Sequence, residues 1–158
     1  MTALQALHDL ALHSKRANHP TFPEKLIPKP KFSDKTANGL TKCIVAFIRL
    51  QGFQAERVSV EGRVLDGRKT FQDAVGYRRT IGTVKRIRSS AQVGSADVSA
   101  IINGRSVKIE VKVGNDRQSQ AQKEYQRQVE AAGGIYLLIS SFQQFYDWYL
   151  QRQIHPAS

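Results

Sequence analysis

Asp97, Glu110 and Lys112 are the residues whose types and spacing could do chemistry. Glu110 and Lys112 stand two apart in Ile109-Glu110-Val111-Lys112. On a strand their side chains leave one face, while Ile109, Val111 and Val113 take the other. Asp97 lies one turn upstream. Asn103-Gly104 is a strong two-residue hairpin signal, and simple register about it sets Ile102 against Arg105 and Asp97 against Glu110. Directly opposed residues share a face, so the two carboxylates converge. A bare acid-x-Lys is what any half-exposed strand shows, and a solvated polar face is the bland alternative. With Asp97 added, the trio suits phosphodiester hydrolysis. That substrate is anionic and repels hydroxide, so a divalent ion must neutralise charge and generate the nucleophile. Mg²⁺ takes one or two carboxylates and keeps several waters, which matches Asp97 and Glu110. The Val111 carbonyl offers another oxygen. Lys112, a compact point charge, could orient the water and stabilise the pentacovalent transition state.

The elements that must position these groups follow from periodicity and turn chemistry. Met1 to Arg16 reads as a helix, with Leu4, Leu7, Leu10 and Leu12 at roughly helical spacing. Pro20, Pro23, Pro28 and Pro30, interleaved with lysines, predict an extended connector. Residues 1–32 therefore read as an N-terminal helix and proline-rich basic arm, whose removal should leave the rest soluble. The domain proper reads as 33–158. Ser33, Asp34 and Thr36 offer helix N-caps, and Leu40, Ile44, Phe47 and Ile48 form an apolar stripe ending at Gly52. Cys43 beside that stripe reads as a small core residue. Phe53 to Val60 is extended. Residues 63–90 form a long, irregular basic insertion. Strands over Ala96–Ile102 and Ser106–Val113, a helix over Arg117–Ala132 stopped by Gly133-Gly134, a buried strand over Ile135–Ser140 and an aromatic helix over Phe142–Leu150 complete the chain. This order predicts an α/β fold, a mixed central sheet flanked by helices.

Gly94-Ser95-Ala96-Asp97, Ile109-Glu110-Val111-Lys112, Gln118-Ser119-x-x-Gln122 and Gly133-Gly134 before a strand together resemble the PD-(D/E)XK nuclease superfamily. The nearest likeness is to the VRR-NUC group and the related Holliday-junction resolvases, over roughly Thr36 to Trp148. The resemblance implies a restriction-endonuclease-like core and Mg²⁺-dependent cutting of DNA, with Mn²⁺ able to substitute. It implies metal ligation by Asp97, Glu110 and the Val111 carbonyl, Lys112 as catalytic lysine, and Gln122 as the helix glutamine facing the site. Related nucleases often carry a glutamate in the first helix, and none stands here. Asn38 or Asp34 is the candidate replacement.

Lys and Arg number 24 against 13 acidic residues, a formal charge of +11. That surplus favours a polyanionic partner, nucleic acid first. Arg57, Arg63, Arg78, Arg79, Lys85, Arg86 and Arg88 could neutralise phosphates, with Gln118 and Ser119 adding contacts near the site. No base-reading module is evident, so DNA shape rather than sequence is the expected target. His8, His13, His19 and His155 lack ligand spacing for zinc. Phe142, Phe145, Tyr146, Trp148 and Tyr149 read as a packing stripe rather than base-stacking platforms. No apolar run approaches the roughly 20 residues of a membrane span. A lone cysteine suits a reducing cytoplasm. The expectation is a metal-dependent endodeoxyribonuclease acting on branched or structured DNA. Two symmetric cuts in a four-way junction require two active sites, which implies a homodimer. The alternatives are the same fold acting on flaps, nicked duplex or single strands, or a non-catalytic basic DNA-binding protein.

Overall fold

The computed structural model describes residues 1–59, 63–87 and 91–154. They divide into two units, Met1–Val58 with Gly94 onward, and Ser59–Val93. The first unit is α/β. Its sheet runs β1 (Gln54–Arg57), β6 (Val98–Ile102), β7 (Arg105–Val111), β8 (Ile135–Ile139), in that spatial order. The first three strands are antiparallel neighbours, and β8 joins β7 in parallel, so the sheet is mixed. Asn103 and Gly104 take positive φ, 49° and 75°, as a tight hairpin with matching twist requires. They set Ile102 opposite Arg105 and Val98 opposite Ile109, the register expected from the turn.

Alternation along these strands separates the two faces. Val98, Ala100, Ile102, Val107, Ile109, Val111 and Ile139 are buried in one core with α2 (Ala37–Leu50) and α4 (Phe142–Ile154). Phe47 of α2 is the centre of that layer, with edge-on aromatic contacts to Phe142, Phe145, Tyr146 and Tyr149 at 5.0–6.0 Å. The aromatic helix is thus a packing stripe. Cys43 is buried there too; burial pushes its thiol up to about 11, so it stays protonated.

α1 (Ala3–Asn18) corrects the expectation of a separable arm. Ala3 and Leu7 lie in the common core, and α1 packs against α2 and α4. Its buried line is Ala3, Leu7, Ala11 rather than a leucine row. The two alanines let the helix axis approach closely, and Leu7 supplies the apolar volume. The proline stretch is not extended throughout as expected, because a turn of 3-10 helix at Glu24–Leu26 follows Pro23; proline content also says nothing about whether the preceding helix returns to the core. α3 (Gln120–Ala131) lies on the opposite face of the sheet, against β8. None of its residues is fully buried, so it covers that face loosely. Gly133 at φ 79° follows it as the left-handed stop.

The second unit replaces the irregular insertion with regular structure. β2 (Arg63–Asp66) pairs with β5 (Val84–Ile87), and β3 (Lys69–Gln72) with β4 (Arg78–Ile81), both antiparallel. The two ladders are interrupted at residues 67–68 and 82–83, but the pairings Arg63↔Ile87 and Gln72↔Arg78 share one offset, so they follow one another in a single register as a two-part ribbon. The bond from Gly67 N–H to the Thr83 carbonyl carries it across the middle. Among the described residues no helix is long and apolar enough to cross a membrane.

Candidate active site

Asp97 immediately precedes β6, and the ladder extended by one residue places it opposite Glu110. It is held from two sides. Its carbonyl accepts from Val58 N–H at 2.8 Å, tying it to the end of β1. Its Oδ2 accepts from Val111 N–H at 2.9 Å. The carboxylate therefore takes the donor that a further backbone carbonyl of β6 would have taken, and the two strands part there. A strand residue's N–H and C=O leave on the same side, so the Val111 carbonyl also faces the Asp97 edge. Gly94 explains how the chain reaches this point. Its φ is +86°, and a Cβ would fall 2.5 Å from the Ala121 carbonyl oxygen. Only glycine lets the loop before Asp97 lie against the first turn of α3.

Glu110 sits on the face away from the main core, yet only 2% of it is exposed. Its Oε1 meets Lys112 Nζ at 3.1 Å and accepts from Gln122 Nε2 at 2.5 Å. Its Oε2 is buried and has no hydrogen-bond partner. Burial pushes the Glu110 carboxyl above the ordinary glutamate range; the bond to Lys112 opposes this, and the Asp97 charge adds to it. Lys112 Nζ also meets Asp116 Oδ2 at 3.1 Å. Burial works against the ammonium, but its bonds to Glu110 and Asp116 outweigh that and raise its pKa above the ordinary lysine value. Lys112 is therefore a fixed cation and hydrogen-bond donor at neutral pH. It is not a base.

Gln122 is set by a capping box. Ser119 Oγ accepts from Gln122 N–H, and Ser119 N–H donates to Gln122 Oε1 at 2.9 Å. The amide oxygen is thereby spent on the helix end, and the NH₂ group must face the acceptor-only Glu110 carboxylate. The sequence places Gln122 near the site. The geometry adds that one amide serves both the helix and the carboxylate.

The remaining predicted residues are not all gathered here. Asn38, in the first turn of α2, has its Oδ1 taken by the Arg57 guanidinium, so each is the other's partner. Asp34 accepts from Phe142 N–H at 3.0 Å and caps α4, away from a ligand role. Gln118 donates to Gln126, and Ser119 is the α3 cap. Arg78, Arg79, Lys85 and Arg86 lie on the ribbon, Arg63 starts β2, and Arg88 lies outside the described residues, as does His155.

Two residues were missed. Asp116 stands four after Lys112 and completes its charge pairing; that spacing in a Gly-Asn-Asp turn was a readable signal. Tyr136 is buried on β8 opposite Lys108, with its hydroxyl beside Gln118. Burial pushes its phenol up to about 12, so it remains a donor. Lys112 also opens onto a cleft of about 410 Å³ lined with Asp116, Arg117, Lys123, Ser140, Gln144 and the predicted Gln118, which the structure thus brings beside the site.

Among the described residues no group of three or more His, Cys, Asp or Glu is placed to hold a metal. The arrangement is two carboxylates and a carbonyl at a strand fork, one of the carboxylate oxygens having no partner, beside a protonated lysine and a fixed amide. No protein-family model matches the chain, and no curated protein is significantly similar to it.

Proposed function

We propose that the chain is a Mg²⁺-dependent DNA endonuclease of the PD-(D/E)XK kind, built on a restriction-endonuclease-like core. The observation that carries this reading is the unpartnered, buried Oε2 of Glu110 beside Asp97. A buried carboxylate oxygen without a donor costs about 1–3 kcal/mol or more, and a cation is the ligand that relieves it. Asp97, Glu110 and the Val111 carbonyl would hold Mg²⁺, an ion that accepts a small oxygen set and completes its shell with water and phosphate. When bound, it supplies charge neutralisation and activation of water. Lys112, fixed by Glu110 and Asp116, donates to a phosphate oxygen or the attacking water and stabilises developing negative charge. Gln122 holds the Glu110 carboxylate in one orientation. The resemblance to VRR-NUC proteins and Holliday-junction resolvases supports branched or otherwise structured DNA as substrate. Paired cuts related by twofold symmetry would require a homodimer.

The test is Mg²⁺-dependent cutting of labelled four-way, flap and linear DNA by wild type, Asp97→Ala and Lys112→Ala. Loss of cutting in both variants is expected, with paired nicks on the four-way form. If both variants cut as well as wild type, the site is wrong.

A further inference from the structure

The ribbon of the second unit has no core of its own. β3, β4 and β5 are exposed along their length, and Val64, Leu65, Phe71, Ile81 and Val84 stand in solvent. A two-stranded hairpin in water is marginal at best, so this one is built to lie against something. Its charge says what. Residues 59–93 carry eight cationic and three acidic side chains, a net +5. Two arginines are neutralised within the ribbon, Arg68 by Asp66 and Arg79 by Asp73, each at 2.6 Å. Lys69, Arg78, Lys85 and Arg86 have no acidic partner among the described residues.

Directly opposed residues of an antiparallel pair share a face, and neighbours along a strand alternate. Lys85 and Arg86 are neighbours on β5 and therefore leave opposite faces. In the other half, Lys69 pairs with Ile81 and Arg78 with Gln72, which again puts the two cations on opposite faces. Among the described side chains, each half of the ribbon thus presents one cation without an acidic partner to either side.

We propose that this ribbon lies in the major groove of duplex DNA. Cations on both faces match a cleft walled by phosphates on each side, whereas docking on one protein surface would call for one charged face. Two strands about 4.8 Å apart with their side chains fill a groove about 12 Å wide and exceed one of about 6 Å. Each edge of the ribbon, ten residues from Arg63 to Gln72 or from Arg78 to Ile87, spans at most roughly 33 Å at about 3.3 Å per residue, close to one helical turn. Leu65, Ile81 and Val84, interleaved with the cations, are suited to thymine methyl groups, which only the major groove presents. The proposal rests on the DNA-acting reading above for its choice of polyanion.

The experiment uses the full chain and linear duplex DNA in EDTA, so that failure of metal-dependent cutting leaves it unaffected. Binding is measured against salt for wild type, the fourfold Lys69→Ala, Arg78→Ala, Lys85→Ala, Arg86→Ala variant, and a control exchanging Lys and Arg at the same positions. At about 0.9 per neutralised phosphate, the alanine variant should lose about 3 to 4 from the log–log salt slope. The exchange control should keep the slope. Dimethyl sulfate then reports the groove: wild type should protect guanine N7, in the major groove, and the alanine variant should not. Protection of adenine N3 instead, or an unchanged slope in a variant with wild-type circular dichroism, overturns the proposal. So does a variant that binds DNA normally but sediments at half the wild-type mass, which would make the ribbon a self-association surface.

Discussion

Replacing Glu110 by Gln should make the metal-free protein more stable and abolish its response to Mg²⁺. Glu110 is 2% exposed, with one oxygen unpartnered and the Asp97 charge nearby. The variant replaces a desolvated carboxylate charge with a neutral amide and removes the like-charge repulsion from Asp97. Against a gain of about 1–3 kcal/mol stands the lost ion pair to Lys112, which keeps Asp116 as partner. The net is about 1 kcal/mol, or roughly 2–4 °C in melting temperature for a chain of this size. The effect has a defined pH sign. The folded-state carboxyl pKa lies above its unfolded value, so the folded chain holds that proton more tightly. The stability it contributes is present below the ordinary glutamate range and is lost as pH rises through the raised value. The advantage of the variant should therefore open with rising pH and vanish in acid. With Mg²⁺ at about 100 times Kd, wild type gains about 2.7 kcal/mol by mass action and overtakes the variant. The assay is thermal melting followed by circular dichroism, at about pH 8 and pH 4, in EDTA and in Mg²⁺. A variant that melts below wild type in EDTA, or that gains as much from Mg²⁺, would refute the account of Oε2.

Gln122→Ala should lose about 1 kcal/mol, because it removes both the returned capping bond and a donor to Glu110. Gln122→Glu keeps a cap acceptor but sets two carboxylates in contact, so it should melt below the alanine variant at about pH 8 and recover in acid. Equal melting of the two at both pH values would show that the amide does not face Glu110. Leu7→Ala should cost about 2–5 kcal/mol as a core truncation, and deletion of residues 1–30 should give aggregated protein. Soluble, cooperatively melting truncated chain would show that α1 is dispensable. Asp34→Ala should cost about 1 kcal/mol through the α4 end without altering Mg²⁺ affinity; a weakened Mg²⁺ response would place Asp34 in the site after all.

What the sequence made legible was local. Asn103-Gly104 dictates the hairpin and its register because few residues tolerate two successive positive φ values. The expected Arg117–Ala132 helix is found as Gln120–Ala131, since Ser119 with Gln122 three residues on is a capping box and Gly133 is a stop. Arg117 and Gln118 lie before the cap. The strand Phe53–Val60 is found as Gln54–Arg57, and Val60 lies outside the described residues. What was hidden depends on partners far away in the chain. Asn38 looks like a free oxygen until Arg57, nineteen residues on, is seen to occupy it. Asp34 looks like a cap for the next helix and instead caps one 108 residues downstream. The ribbon looks irregular in sequence because strands exposed on both faces show no clean apolar alternation, and the Asp73–Tyr77 turn is a weak hairpin signal.

The shared offset of the ribbon's two halves limits how its length can vary. The pairs on both sides of the interruption, from Arg63↔Ile87 to Asp66↔Val84 and from Lys69↔Ile81 to Gln72↔Arg78, keep one spacing, so a residue lost from one strand alone would turn all positions beyond it over to the opposite side. Tolerated shortening must remove matched residues from both strands, and in even steps if the outward pattern of side chains is to be kept. Tandem trimming from the Asp73–Tyr77 tip meets that condition, whereas a single codon deletion in β3 or β4 scrambles the surface while leaving composition and charge almost untouched.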